Sequence, residues 1–174
     1  EERLRCGVIT HSSGNHGAAL AWAATMKKTD CIVVMPKNAS AVKIDAVNCY
    51  GGRVLFCEPT MCARETMVQD FVSKQSSQFI HPFDDYSVIA GQGTIAIEFA
   101  SQLDGLLDKI LVPVGGGGLI SGISVFVKDK GGLASQVIGT EPEKARDAAD
   151  SFYGGIHVKE YEPKTMADGL RATL

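Results

Sequence analysis

The sequence predicts an α/β fold with parallel sheet flanked by helices, and three observations predict it. Short β-branched runs recur along the chain, polar or glycine-rich turns follow them, and longer amphipathic stretches come next. Strands that alternate with helices in this way pair in parallel through right-handed crossovers.

The elements follow in order. Residues 7–10 (GVIT) read as a strand and 18–26 (AALAWAATM) as a helix with one buried face. Residues 31–35 (CIVVM) form the next strand, stopped by Pro36. Ser40 is placed to cap a helix that runs to about Tyr50 and that Gly51 and Gly52 terminate. A strand at 53–57 (RVLFC), a helix over 61–74 and a short strand at 78–81 complete the first half. The second half repeats the theme with a helix at 94–102, a strand at 109–114 and a helix at 119–128. A strand at 136–140 and a short helix after Pro142 close it. The turn at 81–85 (HPFDD) is the candidate domain boundary.

Composition narrows the function classes. The chain has 174 residues, 45% hydrophobic and 21% charged, which suits a globular domain and not a disordered, collagen-like or repeat protein. No run approaches the 18 apolar residues of a membrane span, so no membrane partner is expected. A net charge of −3 without long basic runs argues against a nucleic-acid partner. The five cysteines are odd in number and contain no C-x-x-C pair, which points to a reducing, cytoplasmic setting. Cys57 and Cys62 lack a second ligand pair with zinc-finger spacing. The chain opens on Glu1-Glu2-Arg3 without Met, as expected of a piece of something longer or of a processed chain.

Ligands of parallel α/β sheets bind beyond the carboxyl ends of the strands, and two loops there are unusual. Gly115, Gly116, Gly117 and Gly118 lie between a strand and a helix. Four glycines weaken the turn entropically but let backbone N–H groups approach an anion, most often a phosphate, at the positive end of a helix dipole. No Lys-Ser/Thr follows, so this is not a Walker A loop. A dinucleotide fingerprint, Gly116-x-Gly118-x-x-Ser121 with Glu141 after the next strand, is the rival reading. The other loop runs Thr10-His11-Ser12-Ser13-Gly14-Asn15-His16-Gly17. Singly, these residues suit a helix cap or core histidines. Together, hydroxyls, an amide, imidazoles and glycines suit a cradle for a carboxylate and an aromatic ring substituent.

The segment Ser12-Ser13-Gly14-Asn15-His16-Gly17 closely resembles the substrate loop of fold-type-II pyridoxal-phosphate (PLP) enzymes, in the serine racemase and serine/threonine dehydratase branch. The resemblance continues in order through His81-Pro82-Phe83-Asp84, residues 89–94 (IAGQGT), Val112-Pro113-Val114 with its glycines, Thr140-Glu141-Pro142 and Ala167-Asp168-Gly169. It displaces the dinucleotide reading. It implies a tryptophan-synthase-β-like fold, incomplete at both ends. Residues 1–6 would end an upstream large-domain segment, 7–84 form the small domain and 85–174 form part of the large PLP-binding domain.

The resemblance also implies roles. Gly115, Gly116, Gly117 and Gly118, flanked by Leu119, would bind the cofactor phosphate, and Asn15 the phenolic oxygen of its ring. Ser12, Ser13, Gly14, Asn15, His16 and Arg64 would line the substrate, with Ser13 the acid/base on the re face. Glu141, the Ala145 carbonyl and Asp147 would ligate Mg²⁺ or Ca²⁺. Tyr50 matches a gating tyrosine near a nucleotide-binding dimer interface, and the implied whole is a homodimer with ATP as an activator. Ala18 departs from the glutamine of many relatives. The implied activity is serine racemisation together with elimination of serine to pyruvate and ammonia. Dehydration without racemisation and a non-catalytic cofactor-binding module are the alternatives.

The largest departure is the missing S-F-K-x-R-G-A motif that carries the family's Schiff-base lysine. Lys27, Lys28, Lys37 and Lys43 match no lysine with that role. The sequence thus reads as the central part of the enzyme, and the isolated segment is expected to bind cofactor weakly and to be inactive.

Overall fold

The computed structural model describes residues 6–103, 107–129, 135–158 and 162–172. Residues 1–5, assigned above to an upstream segment, lie outside the described residues. The chain divides into two compact units, Glu1–Pro82 and Phe83–Leu174.

The first unit holds strands β1 (Val8–His11), β2 (Cys31–Pro36), β3 (Arg53–Cys57) and β4 (Gln78–Phe79). All pair in parallel, in the order β3-β2-β1-β4. Helices α1 (Asn15–Met26), α2 (Ala41–Cys49) and α3 (Met61–Gln75) connect them. Alternation along the strands assigns the faces. Val8, Val33 and Met35 pack with Ala21 and Ala24 of α1 and Val47 of α2. Ile9, Ile32 and Val34 turn the other way and pack with Val68 of α3. β2 is buried throughout, and each such Val or Ile contributes about 1.5–3 kcal/mol. The chain steps outward from β1 to β3, then returns to place β4 on the opposite side of β1. That reversal puts a topological switch point between β1 and β4, where an open parallel sheet offers its ligand crevice.

The second unit pairs β5 (Lys109–Pro113) with β6 (Gln136–Thr140) in parallel. Helices α4 (Tyr86–Gln102), α5 (Gly118–Lys128) and α6 (Asp147–Gly154) accompany them, with a 3₁₀ turn at Asp168–Leu170. Ile110 and Val112 of β5 meet Ala96 of α4 and Ile123 and Val127 of α5 in one core. Among the described residues no helix is long and apolar enough to cross a membrane.

Most elements fall where the sequence places them, with informative differences at the ends. α4 begins at Tyr86, eight residues before the expected start, because the Asp85 carboxylate accepts from the Ser87 (2.7 Å) and Val88 (3.3 Å) amides. Gly91 and Gly93 lower the helix propensity of that stretch, but the cap and Ala96 burial outweigh them. Ser40 occupies the N-cap position of α2, yet its side chain makes no capping bond. Thr60 does cap α3, accepting from the Ala63 amide at 3.2 Å. Gly51 ends α2 in the left-handed region (φ 82°), as its glycine leads one to expect.

Candidate functional site

The loop between β1 and α1 sits at the switch point. His11 ends β1 opposite Val34, and the Ser12 amide donates to the Val34 carbonyl at 3.0 Å. Ser12 Oγ accepts from the Gly14 amide at 3.1 Å, closing a tight turn that launches α1. Asn15, expected in the loop, is instead the first residue of α1, so His16 and Gly17 are helical too. Ser12, Ser13 and His16 are half-buried, Gly14 is buried and Asn15 is exposed. Ser12, Ser13, Gly14, Asn15 and His16 are thus gathered on one strand-to-helix turn.

Neighbouring groups hold this turn. Thr10 Oγ1 donates to the Ile80 carbonyl at 2.7 Å. The His11 ring stacks on Phe79 (centroids 5.7 Å apart) and meets His81 edge-on at 6.0 Å. Burial pushes the His11 imidazole down to about 4, assisted by the positive fields of His81, Arg64 and His16. Burial also lowers His16, against a hydrogen bond to the Ile80 carbonyl that raises it, and His81 lowers it further. His16 Nε2 and Arg64 Nε are buried and have no hydrogen-bond partner. The Ile80 carbonyl was not among the sequence candidates, and Thr10 stood in the candidate loop with no role of its own. A backbone carbonyl leaves no mark in a sequence, and a threonine at the end of a strand reads as ordinary β-former.

The second candidate loop joins β5 to α5. Gly117 is the N-cap of α5 in the left-handed region (φ 81°). A Cβ on Gly116 would fall 2.2 Å from Cγ of the Phe83 ring, and one on Gly118 would fall 2.8 Å from the Phe83 carbonyl oxygen. The sequence argument attributes these glycines to anion approach. The structure adds a second cause, because Phe83 packs directly on the loop. Leu119 follows in the first turn and packs at the rim of the core.

Glu141, Ala145 and Asp147 lie between β6 and α6. Glu141 Oε1 accepts from the Ala148 amide at 3.2 Å and Oε2 from the Ala149 amide at 2.7 Å, so the carboxylate caps α6. Ala145 and Asp147 are buried. No cluster of three or more His, Cys, Asp or Glu side chains suited to a metal occurs among the described residues.

A switch-point turn rich in hydroxyls and imidazoles, and a helix opened by four glycines, define an α/β enzyme class built to hold a phosphate-bearing cofactor. The chain belongs to the pyridoxal-phosphate dependent enzyme family, whose model matches residues 1–173. It is 45% identical over 170 residues to the β-hydroxyaspartate dehydratase of Paracoccus denitrificans, covering 97% of this chain and 53% of that protein. It is 43% identical over 176 residues to the serine racemase of Dictyostelium discoideum, covering 100% and 54%. The structure of maize serine racemase superposes with a TM-score of 0.91 at 37% identity, covering 99% of this chain and 52% of that one. The fold is therefore the fold-type-II arrangement read from the motifs. The chain spans about half the length of the curated relatives it matches.

The glycine loop fits the family's cofactor. The first amides of α5 have no acceptor within the helix, and no side chain from Gly115 to Gly118 screens them.

Proposed function

We propose that the protein carrying this chain is a PLP-dependent serine racemase that also eliminates water from serine to give pyruvate and ammonia. The observation that carries the reading is the Ser12–Ser13–Gly14 turn at the switch point, on a chain 43% identical throughout to a serine racemase. Gly115, Gly116, Gly117 and Gly118 with Leu119 would hold the cofactor phosphate, and Asn15 its ring oxygen. When bound, the cofactor draws electron density from the substrate Cα and acidifies its C–H. Ser12 Oγ spends a lone pair on the Gly14 amide and keeps its own hydrogen for the substrate carboxylate, alongside the His16 amide, with Gly14 giving the close backbone approach. Arg64 adds positive charge near that carboxylate. Ser13 holds and returns the Cα proton on one face, the step that racemisation needs beyond elimination.

A second reading is dehydration without racemisation. It is favoured by the 45% identity to a β-hydroxyaspartate dehydratase. Incubating the full-length protein with L-serine, and in parallel with 3-hydroxyaspartate, separates the two. D-serine together with pyruvate supports the racemase, and a keto acid alone supports the dehydratase. Neither product would leave a non-catalytic cofactor-binding module.

The reading extends to residues 7–84 as a small domain and 85–174 as part of a large one, in a cytoplasmic homodimer that ATP activates. It also includes Mg²⁺ or Ca²⁺ on Glu141, the Ala145 carbonyl and Asp147, a hard-oxygen set. Lone pairs remain on both Glu141 oxygens after the two amide bonds. Melting temperature with and without added Ca²⁺ tests this: the unaltered protein should gain stability and Asp147→Asn should not, and an unaltered protein that melts identically in both would overturn the metal.

A further inference from the structure

The two edges of the first sheet differ. At one edge β4 is two residues long, and so short a strand offers little for another chain to pair with. At the other edge β3 runs for five residues, Arg53–Cys57. The Lys37 amide donates to the Cys57 carbonyl at 2.9 Å, which fixes the phase of the β2–β3 ladder. In a parallel ladder, alternate residues of a strand turn both backbone groups to the neighbour. Arg53, Leu55 and Cys57 therefore bond to β2, while the N–H and C=O of Val54 and Phe56 point out from the sheet edge. An edge protected against pairing carries Lys, Pro or a bulge at such positions. This edge carries a β-branched residue and a phenylalanine that is 48% exposed. Beside it, Leu55 and Phe56 of β3 and Met67 and Phe71 of α3 line a hollow of about 330 Å³. The charges around it are ordered. Arg53 opens β3 and Lys74 lines this hollow, whereas Asp70 and Glu58, the latter paired with Lys37, line the adjoining hollow at the Cys57 end.

We propose that this edge joins a second copy of the chain, β3 against β3, antiparallel about a two-fold axis at Leu55. Val54 then stands opposite Phe56 of the second copy and exchanges both backbone bonds with it, and the axis repeats the pair, so every outward group of the edge is used. An aromatic residue facing a β-branched one is a favourable cross-strand combination. The antiparallel direction also sets the basic end of one edge against the acidic end of the other, where a parallel neighbour would set like charges side by side. The contact is isologous and closes on itself. It goes beyond the proposed activity and uses none of the residues assigned to it.

Sedimentation of the full-length protein at micromolar concentration tests the pairing. Val54→Pro removes one outward donor and leaves the ladder to β2 intact, and Phe56→Lys places a charge on the edge. Each should at least halve the mass of the unaltered protein and leave its far-UV circular dichroism unchanged. An interface elsewhere would multiply all three masses alike. Leu55→Cys reads the register, because its copies would meet as a non-hydrogen-bonded pair with Cα atoms about 4.5 Å apart, within the span of a disulfide. Mild oxidation should give a cross-linked dimer that reductant dissolves, absent from the unaltered protein and lost when Val54→Pro is added. Equal masses for the unaltered protein and both variants, or no cross-link in Leu55→Cys, would overturn the proposal and leave the edge open or covered by another part of the parent chain. If Val54→Pro does not fold, Phe56→Lys and the cross-link decide.

Discussion

The two candidate loops solve the same problem with different materials. The β1–α1 turn is held by side chains: Ser12 on the Gly14 amide, Thr10 and His16 on the Ile80 carbonyl, and His11 among Phe79 and His81. The β5–α5 turn is held by their absence, with Phe83 seated where Gly116 and Gly118 have no Cβ. The first loop therefore offers chemistry that substitution can tune, and the second offers bare backbone that substitution can only obstruct.

Four experiments put that contrast to the test. The largest effect is expected at Ser13. Ser13→Ala in the full-length protein should cut D-serine formation 10²–10⁴-fold, the usual contribution of a placed acid or base, and spare pyruvate. Parallel loss of both products would make Ser13 a scaffold residue and erase the contrast.

Acid comes next. His11 falls from 6.5 to about 4 in the folded chain, so the unfolded chain binds its proton more readily. Stability should be intact above about pH 6.5 and should decline as pH drops toward 4, by up to about 3 kcal/mol from this one group. Urea unfolding at stepped pH measures it, and His11→Asn should flatten that stretch of the profile.

Gly116→Ala should then destabilise by about 1–3 kcal/mol through overpacking against Phe83. Phe83→Ala in the same chain should recover part of that, and additive melting shifts in the double variant would show that the two residues do not press on each other. The smallest effect belongs to Thr10→Val, which keeps the shape of a fully buried residue but removes one donor from Ile80, for about 1 kcal/mol. Thr10→Ser should stay close to the unaltered melting temperature.

The elements were legible where local chemistry and burial agree. CIVVM is buried from end to end, and the Gly51 turn has the left-handed backbone that its glycine permits. Both candidate loops were legible as loops because glycine, hydroxyl and amide residues concentrate at strand ends. The beginning of α4 was not, since two glycines mask a helix that a distant core residue, Ala96, and the Asp85 cap hold in place. The Ile80 carbonyl was hidden for a different reason. Its importance comes from β4 returning beside β1, a long-range pairing that no local spacing encodes. Phe83 stood in a recognised segment, but its seat on Gly116 is a tertiary fact.

That α1 starts at Asn15, and not beyond the motif, has a consequence for how the motif is read. Helical residues step by about 100° around the axis, so Asn15, His16 and Gly17 point in three directions: outward to solvent, toward Ile80 and into the core. The motif is an angular instruction as well as a list of side chains. A single residue inserted after Gly14 would keep every functional group and turn each to the wrong bearing, so this stretch should tolerate substitution far better than any change of length.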